Sequence, residues 1–289
     1  MILVFGATGS IGRHLVHALP EVTAFVRDPA KATGRHVVGD LDDPDSIAAA
    51  LHGVDRVFLN AGGAQPADGE QPMVRQQRAV IDAAVEAGVE HVVKLSVWHA
   101  RAGGRLAEGA HWLIEEHLKA SGLGWSILQP SGFMQNFRTR AAVFTEDGDI
   151  LGAYRDSRVS YVDCMDIAAC AAALLRAPRH GETFVLTGPE ALTHTEIAAK
   201  LSAVASRTIR YVDLPAQDFA DRLTALGLPA DFADDVATLF AEVADGSLAP
   251  VTTSVADLTG RPARTFDEFL RDNAGAIREA WAEPGVPAV

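Results

Sequence analysis

Met1-Ile-Leu-Val-Phe-Gly6-Ala-Thr-Gly9-Ser-Ile-Gly12 opens the chain, and the reading of this stretch decides the fold. Ile2 to Phe5 is a continuous apolar run, as expected of a parallel strand buried on both faces. Glycines follow at 6, 9 and 12, and Arg13-His-Leu-Val-His-Ala-Leu19 continues at helical spacing. In a strand–turn–helix of this kind each glycine has its own duty. Gly6 permits the tight turn, Gly9 lets backbone approach a pyrophosphate, and Gly12 lets helix and strand pack closely. The N–H groups and dipole at the helix start then face phosphate charge. A glycine triplet alone is equally a plain glycine-rich turn; its place between strand and helix makes it a dinucleotide motif. Gly6, Thr8, Gly9, Ser10, Ile11 and Gly12 are the expected contacts.

Working outward, strand and helix signals alternate. Val22 to Arg27 reads as a second strand, and Asp28-Pro29 supplies the cap and first-turn chemistry of a short helix. His36 to Asp40 reads as a third strand, and Asp43-Pro44 opens a helix through Leu51. Val54 to Asn60 is a fourth strand ending in Ala61-Gly62-Gly63. Gln71 to Ala87 carries an apolar face and stops at Gly88. Val89 to Val97 is a fifth strand, Leu106 to Ala120 a helix, and Gly124 to Gln129 a sixth strand. Repeated βα units on short links predict an α/β fold with a doubly wound parallel sheet and right-handed crossovers. Ligands on such sheets lie beyond the carboxyl ends of the strands. That rule gathers Gly6–Gly12, Arg27, Asp40-Leu41, Asn60–Gly63, Ser96–His99 and Pro130–Asn136 at one edge.

The pattern loosens after Phe133. Ala141 to Val159 mixes short strand-like pieces, Asp163 to Leu175 is a helix, and Glu182 to Thr187 is strand-like. His194 to Val204 is helical, Thr208 to Val212 a short strand, and Leu214 to Val243 mainly helical with a break at Gly227–Pro229. Thr265 caps a last helix through Arg271, and the tail from Glu283 reads as frayed. The expected organisation is a Rossmann domain over 1–132, continued by about 155–187. A smaller α+β substrate or cap region takes 133–154 and 188–289.

Composition narrows the function. The chain has 289 residues, 48% hydrophobic and 22% charged, with a formal net charge of −13. That charge repels nucleic-acid backbones. No apolar run reaches the roughly 18 residues of a membrane span. Met1 leads straight into the first strand without a basic n-region and cleavage site, so a cytoplasmic protein is expected. Cys164 and Cys170, six apart on a helix, read as buried free thiols, and no Cys/His cluster suggests a metal. Nothing in the chain fixes an oligomeric state.

Cofactor choice rests on the end of the second strand. An NAD site places an acidic residue there for the ribose hydroxyls. Here the strand ends in Arg27, with Asp28 better used as a helix cap. A guanidinium at that point pairs with a 2′-phosphate, which favours NADP(H), with Lys31 one turn on; the competing reading is a solvated surface arginine. Asp40-Leu41 would flank the adenine, and Asn60-Ala61-Gly62 the nicotinamide ribose. At the reacting end, Ser96 closes the fifth strand. His111-Trp-Leu-Ile-Glu115 places a histidine and a carboxylate on one helix face, and no Tyr-x-x-x-Lys occurs. His111 reads as a proton donor or relay, against a helix-surface histidine with a Glu partner. Trp98, His111, Phe133, Met134 and Asn136 are expected around an apolar pocket for a planar substrate, against ordinary core packing.

With these residues in view the chain resembles the NmrA-like family of atypical short-chain dehydrogenases/reductases. The matching marks are Gly6-x-x-Gly9-x-x-Gly12, Val26-Arg27-Asp28-Pro29, Lys94-Leu95-Ser96, His111-x-x-x-Glu115, Trp125-Ser-Ile-Leu-x-Pro130, Phe133-Met134-x-Asn136 and Tyr161-Val162-Asp163. Leu186-Thr187-Gly188-Pro189 and Thr259-Gly260-Arg261-Pro262-x-Arg264-Thr265-Phe266 extend the likeness over nearly the whole chain. The resemblance implies an NADP(H)-preferring Rossmann domain with a small substrate domain. Some members are quinone, azo-dye and triphenylmethane reductases with a histidine at the position of His111. Isoflavone- and lignan-type reductases carry a lysine there, so their chemistry does not transfer. Two readings follow. One is a reductase passing hydride from NADPH to a conjugated acceptor such as a quinone. The other is a non-catalytic sensor reporting the NADP(H) state to a partner protein.

Overall fold

The computed structural model describes residues 1–138, 145 and 148–281. In chain order its elements are β1 (Ile2–Val4), α1 (Gly12–Ala18), β2 (Thr23–Val26), β3 (His36–Val38), α2 (Pro44–Ala50), β4 (Arg56–Leu59), α3 (Pro72–Glu86), β5 (His91–Leu95), α4 (Leu106–Ala120) and β6 (Gly124–Pro130). There follow β7 (Ile150–Gly152), β8 (Arg158–Val159), α5 (Cys164–Arg176), β9 (Glu182–Leu186), β10 (Leu192–Thr193), α6 (His194–Ala205), β11 (Tyr211–Asp213), α7 (Ala216–Ala225), α8 (Ala230–Val243), α9 (Ser254–Thr259), α10 (Phe266–Asp272) and α11 (Ala274–Trp281). The chain divides into two compact units, residues 1–130, 164–186 and 253–262, and residues 131–163, 187–252 and 263 onward. Residues 155–163, expected with the sheet, lie in the second unit, because β8 pairs antiparallel with β10. Residues 253–262, expected with the cap, lie in the first, because α9 packs on α5 and β9. Part of the expected irregular stretch from Ala141 to Val159, and the whole tail from Glu283, fall outside the described residues.

The first unit is built on a seven-stranded parallel sheet in the order β3-β2-β1-β4-β5-β6-β9. β1 runs beside both β2 (Val4↔Ala24) and β4 (Val4↔Phe58), so the strand order reverses around it. Alternating strand residues Leu3, Val57, Leu59 and Val92 enter one core with Ile47, Val80, Ile81, Ile114 and Leu118 from α2, α3 and α4. On the other face α1 packs beside α5, whose Cys164 and Cys170 are buried free thiols. The expected caps are present. Asp43 accepts from the Asp45 N–H with Pro44 at the first helical position. Asp28 likewise accepts from Ala30, but opens only a single 3₁₀ turn, Pro29–Lys31, rather than a helix. β3 is a short edge strand with Val38 exposed, which limits pairing with other chains.

The second unit holds two small sheets, β11-β7 parallel and β10-β8 antiparallel. Its core gathers Met134, Phe137, Tyr161, Phe266, Phe269 and Trp281, with the Trp281 indole donating to the Phe137 carbonyl at 2.9 Å. Thr265 caps α10 by the expected chemistry, reinforced by Glu268 in a capping box. That helix is not the last, however: α11 follows it, and its Ile277 and Trp281 are fully buried. All three tyrosines of the chain lie here around the buried His194. The Tyr161 hydroxyl is 2.9 Å from His194 Nε2, and the Tyr154 ring stacks on the imidazole at 3.9 Å.

Each unit thus buries a neutral imidazole. In the first, Ser126 Oγ donates to the Arg179 carbonyl, so His91 Nε2 must donate to that hydroxyl, at 3.0 Å. Burial pushes His91 and His194 each down to about 4. Between about pH 6.5 and pH 4 the unfolded chain takes up these protons and the fold does not. Stability therefore falls as pH falls, by up to about 3 kcal/mol for each histidine. Melting curves across that range should show the loss, and His91→Gln or His194→Gln should each make it shallower. An equally steep acid limb in both variants would contradict the assignment.

Candidate active site

The glycine turn after β1 has the geometry its spacing predicts, with a separate reason at each glycine. Gly6 sits at φ +71°, and a Cβ there would approach the Asn60 carbonyl oxygen at 3.0 Å. A Cβ at Gly12 would lie 2.1 Å from the Gly6 carbonyl oxygen and 2.6 Å from Ala7 Cα, so only hydrogen fits. Gly9 is exposed, and its Cβ would meet only the Gly6 oxygen, at 3.3 Å. Helix α1 begins without a side-chain cap and without an acidic residue in its first turn. A bare backbone surface at Gly9, beside an uncapped helix start, fits a dinucleotide pyrophosphate. Thr8 is exposed and Ser10 half-buried, whereas the Ile11 side chain is 2% exposed and belongs to the core. Ile11 therefore has only backbone to offer.

Next along the edge, the Gly39 N–H donates to the Val26 carbonyl at 3.0 Å and holds the ends of β2 and β3 together. Arg27 is exposed there, as is Lys31. Asp42 pairs with Arg75 at 2.7 Å and accepts from Gln76. These bonds, with a smaller contribution from the nearby Arg27 charge, hold its carboxyl below the usual carboxylate range. Asp40 is pinned by Ser46, whose hydroxyl lies 3.0 Å from its backbone N–H and from its carbonyl, and its Oδ1 accepts from the Asp42 N–H. Leu41, Asn60 and Ala61 are half-buried, and Gly62 is exposed.

At the end of β5 lies a buried polar network. Lys94 Nζ is 2.9 Å from His111 Nδ1 and also donates to the Leu95 carbonyl. Ser96 Oγ donates to Glu115 Oε1, which accepts from Gln129 at 2.9 Å, while Lys119 reaches Oε2 at 3.3 Å. His111 and Glu115 do share one face of α4, as their spacing requires. They do not pair with each other, and His111 is buried rather than on the helix surface. Its partner is Lys94, which entered the sequence analysis only within the motif Lys94-Leu95-Ser96 and without a role. A signal was present, since a lysine two residues before Ser96 on a strand faces the same side. Burial pushes Lys94 down to about 7 against the opposing pull of Glu115. Burial, and then the Lys94 charge, hold His111 well below an ordinary imidazole. Ser96 has its one proton committed to Glu115, so it offers only lone pairs to a ligand.

Of the residues expected around a pocket, Trp98 and His111 belong to the first unit and Phe133, Met134 and Asn136 to the second. Trp98, half-buried, donates its backbone N–H to the Pro130 carbonyl at 3.0 Å, and its ring stacks on His99. In the second unit Phe133 is half-buried and Asn136 exposed. Met134, expected as pocket wall, is 1% exposed and packed into the core, where its methyl would crowd any Cβ at Gly188. Among the described residues no group of His, Cys, Asp and Glu could hold a metal, and no helix is long and apolar enough to cross a membrane.

Residues 1–270 match the NmrA-like family. The chain belongs to that family. It is 39% identical over 293 residues to an NAD(P)H azoreductase of Xenophilus azovorans, covering 97% of this chain and 100% of that protein. It is 30% identical to quinone oxidoreductase 2 of Escherichia coli, covering 93% of this chain and 97% of the relative. Among solved structures, an NADPH-dependent quinone oxidoreductase from Escherichia coli complexed with NADPH aligns with a TM-score of 0.80 at 29% identity, over 94% of this chain and 99% of its own. The triphenylmethane reductase of Citrobacter sp. shares the fold, with a TM-score of 0.76 at 23% identity, over 98% of this chain and 99% of its own.

In this NmrA-like chain the two inner glycines should respond differently to a methyl group. Gly12→Ala should destabilise the fold by about 3 kcal/mol, because the Gly6 carbonyl is backbone and cannot give way. Gly9→Ala should leave the melting temperature within a few degrees but weaken NADPH binding at least tenfold. Calorimetric melting and titration of nicotinamide fluorescence would check both. Equal effects of the two substitutions on stability would refute the assignment.

Proposed function

We propose that this chain is an NADPH-dependent reductase that delivers hydride to a conjugated, electron-poor small molecule such as a quinone or an azo compound. The carrying observation is a glycine turn with no room for a Cβ at Gly12, on the same sheet edge as a buried, hydrogen-bonded imidazole. Its relatives with quinone and azo names support the same reading.

In this reading the backbone of Gly6 to Gly12 holds the pyrophosphate and Arg27 the 2′-phosphate. Asp40 and Leu41 flank the adenine, and Asn60 to Gly62 the nicotinamide ribose. Bound NADPH supplies the hydride. The protein supplies orientation, a dry surface and one hydrogen-bond donor, His111. No tyrosine acid is needed, because a conjugated acceptor spreads the charge it gains. Trp98 offers aromatic surface to a planar substrate.

Two experiments test this. Purified protein mixed with NADPH and a panel of quinones and azo compounds should consume reduced nicotinamide, and His111→Ala should lower kcat about 100-fold with little change in NADPH affinity. Tight NADPH binding without turnover of any acceptor would favour a sensor instead. Separately, Arg27→Ala should weaken NADPH binding by about tenfold or more while leaving NADH binding unchanged. Equal effects on both nucleotides would remove Arg27 from the phosphate site.

A further inference from the structure

We propose that Lys94 is a positioning residue: it holds His111 as the Nε2–H tautomer and supplies, through Nδ1, the proton that His111 gives to the reduced acceptor. The inference rests on the reductase reading for its second half, whereas the tautomer stands on the hydrogen bonds alone.

An ammonium has three donors and no acceptor site. Lys94 spends one on the Leu95 carbonyl and points another at His111 Nδ1, 2.9 Å away. A ring nitrogen that receives this bond carries no proton, so the imidazole proton resides on Nε2. The arrangement is rigid, because Lys94 is fully buried on a central strand and His111 is 7% exposed on α4. A neutral imidazole with a fixed Nε2–H then faces the chemistry, and behind it stands a second proton.

The proton balance follows. The acceptor, having gained hydride, carries a negative oxygen or nitrogen. Nε2 releases its proton to that atom, forming the new O–H or N–H bond. Nδ1 takes a proton from Lys94, leaving a neutral amine and a neutral imidazole protonated on Nδ1. One proton from water restores the lysine and returns the ring to its starting tautomer. An exposed lysine would hold its proton too tightly at neutral pH for this exchange. Burial brings Lys94 to about 7, and Glu115 keeps it from falling further. The other groups set around it are few. On α4 they are His111 and Glu115, the latter also bonded to Lys119. On β5 and β6 they are Ser96 and Gln129, both bonded to Glu115. The buried face of α3 carries Gln77 but no charge.

Protein labelled with ¹⁵N-histidine, with His111 assigned through His111→Gln, tests the tautomer without any acceptor. At pH 6 to 7 wild-type His111 should show a pyridine-type Nδ1 and a pyrrole-type Nε2, and Lys94→Met should abolish that preference. A protonated Nδ1 in the wild type, or an unchanged spectrum in Lys94→Met, would overturn the proposal, and the wild-type spectrum decides even if the variant misfolds. For the proton supply, kcat of the wild type should be level below about pH 7 and fall roughly tenfold per unit above it. In Lys94→Met, kcat should be about 100-fold lower and level through that range, with the KM for NADPH within about twofold. Lys94→Arg, which donates to Nδ1 but does not release a proton, should keep the tautomer and lose kcat. Retained kcat in either variant would refute the supply of a proton by Lys94. If no acceptor is turned over, the reductase reading fails and the proton supply with it, while the NMR result stands by itself.

Discussion

The carbonyl oxygen of Gly6 occupies the space in which a side chain at position 12 would begin. That exclusion sets helix α1 directly against the end of β1, and it fixes where the first turn of the helix points. A left-handed Gly6, pressed against Asn60 at the end of β4, completes the constraint from the other side. β1 and β4 are the strands between which the sheet reverses order, so the turn stands at the switch point where open α/β sheets bind their ligands. The remaining candidate residues of the first unit are indexed to it by strand order. Arg27 and Asp40 come from the strands on one side, and Ser96 and Lys94 from those on the other.

A second constraint is electrostatic. A buried ammonium loses several kcal/mol of hydration, which its hydrogen bonds to Leu95 and His111, about 2 kcal/mol each for a charged donor, only partly return. The Glu115 carboxylate offsets part of the difference and is itself held by Ser96, Gln129 and Lys119. The outcome is a lysine near the balance point between charged and neutral. Its partner imidazole stays neutral, because burial and the adjacent cation act in the same direction. These groups stand on β5, β6 and α4 rather than on loops, so packing fixes their rotamers and their separations.

The sheet was legible because its signals are local. Apolar runs of strand length, Asp-Pro pairs at helix starts and glycines between strand and helix each act within a few residues. α4 matches its expected bounds, Leu106 to Ala120, because a 15-residue amphipathic helix shows its period several times. α9 escaped notice for the opposite reason, since six residues show less than two turns of pattern. The short helix expected after Asp28 shrank to a 3₁₀ turn, because cap chemistry starts a helix but no apolar face follows to stabilise it. At the site, helical spacing placed His111 and Glu115 on one face and stopped there. Which partner each side chain meets is decided by how α4 packs against the ends of β5 and β6, a long-range property. Strand alternation puts Lys94 on the face of Ser96, but its pairing with His111 is visible only in the folded chain.

The strength of the donor in turn bears on the substrate. Among the described residues near the end of β5, the proton-bearing side chains are few, and Ser96 has committed its proton to Glu115. The three tyrosines belong to the second unit, with the Tyr161 hydroxyl on His194 and the Tyr211 hydroxyl on Asp213. Burial pushes both phenols above their ordinary range. Within the first unit the proposed donor is His111, a neutral imidazole and a weak acid. Such a donor serves poorly where hydride transfer leaves a localised alkoxide, as with a saturated ketone. It suffices where the charge delocalises over a ring or an azo bridge, because the anion forms readily and needs only a hydrogen bond as it develops. On the proposed reductase reading, conjugated acceptors are the class that such a donor would serve.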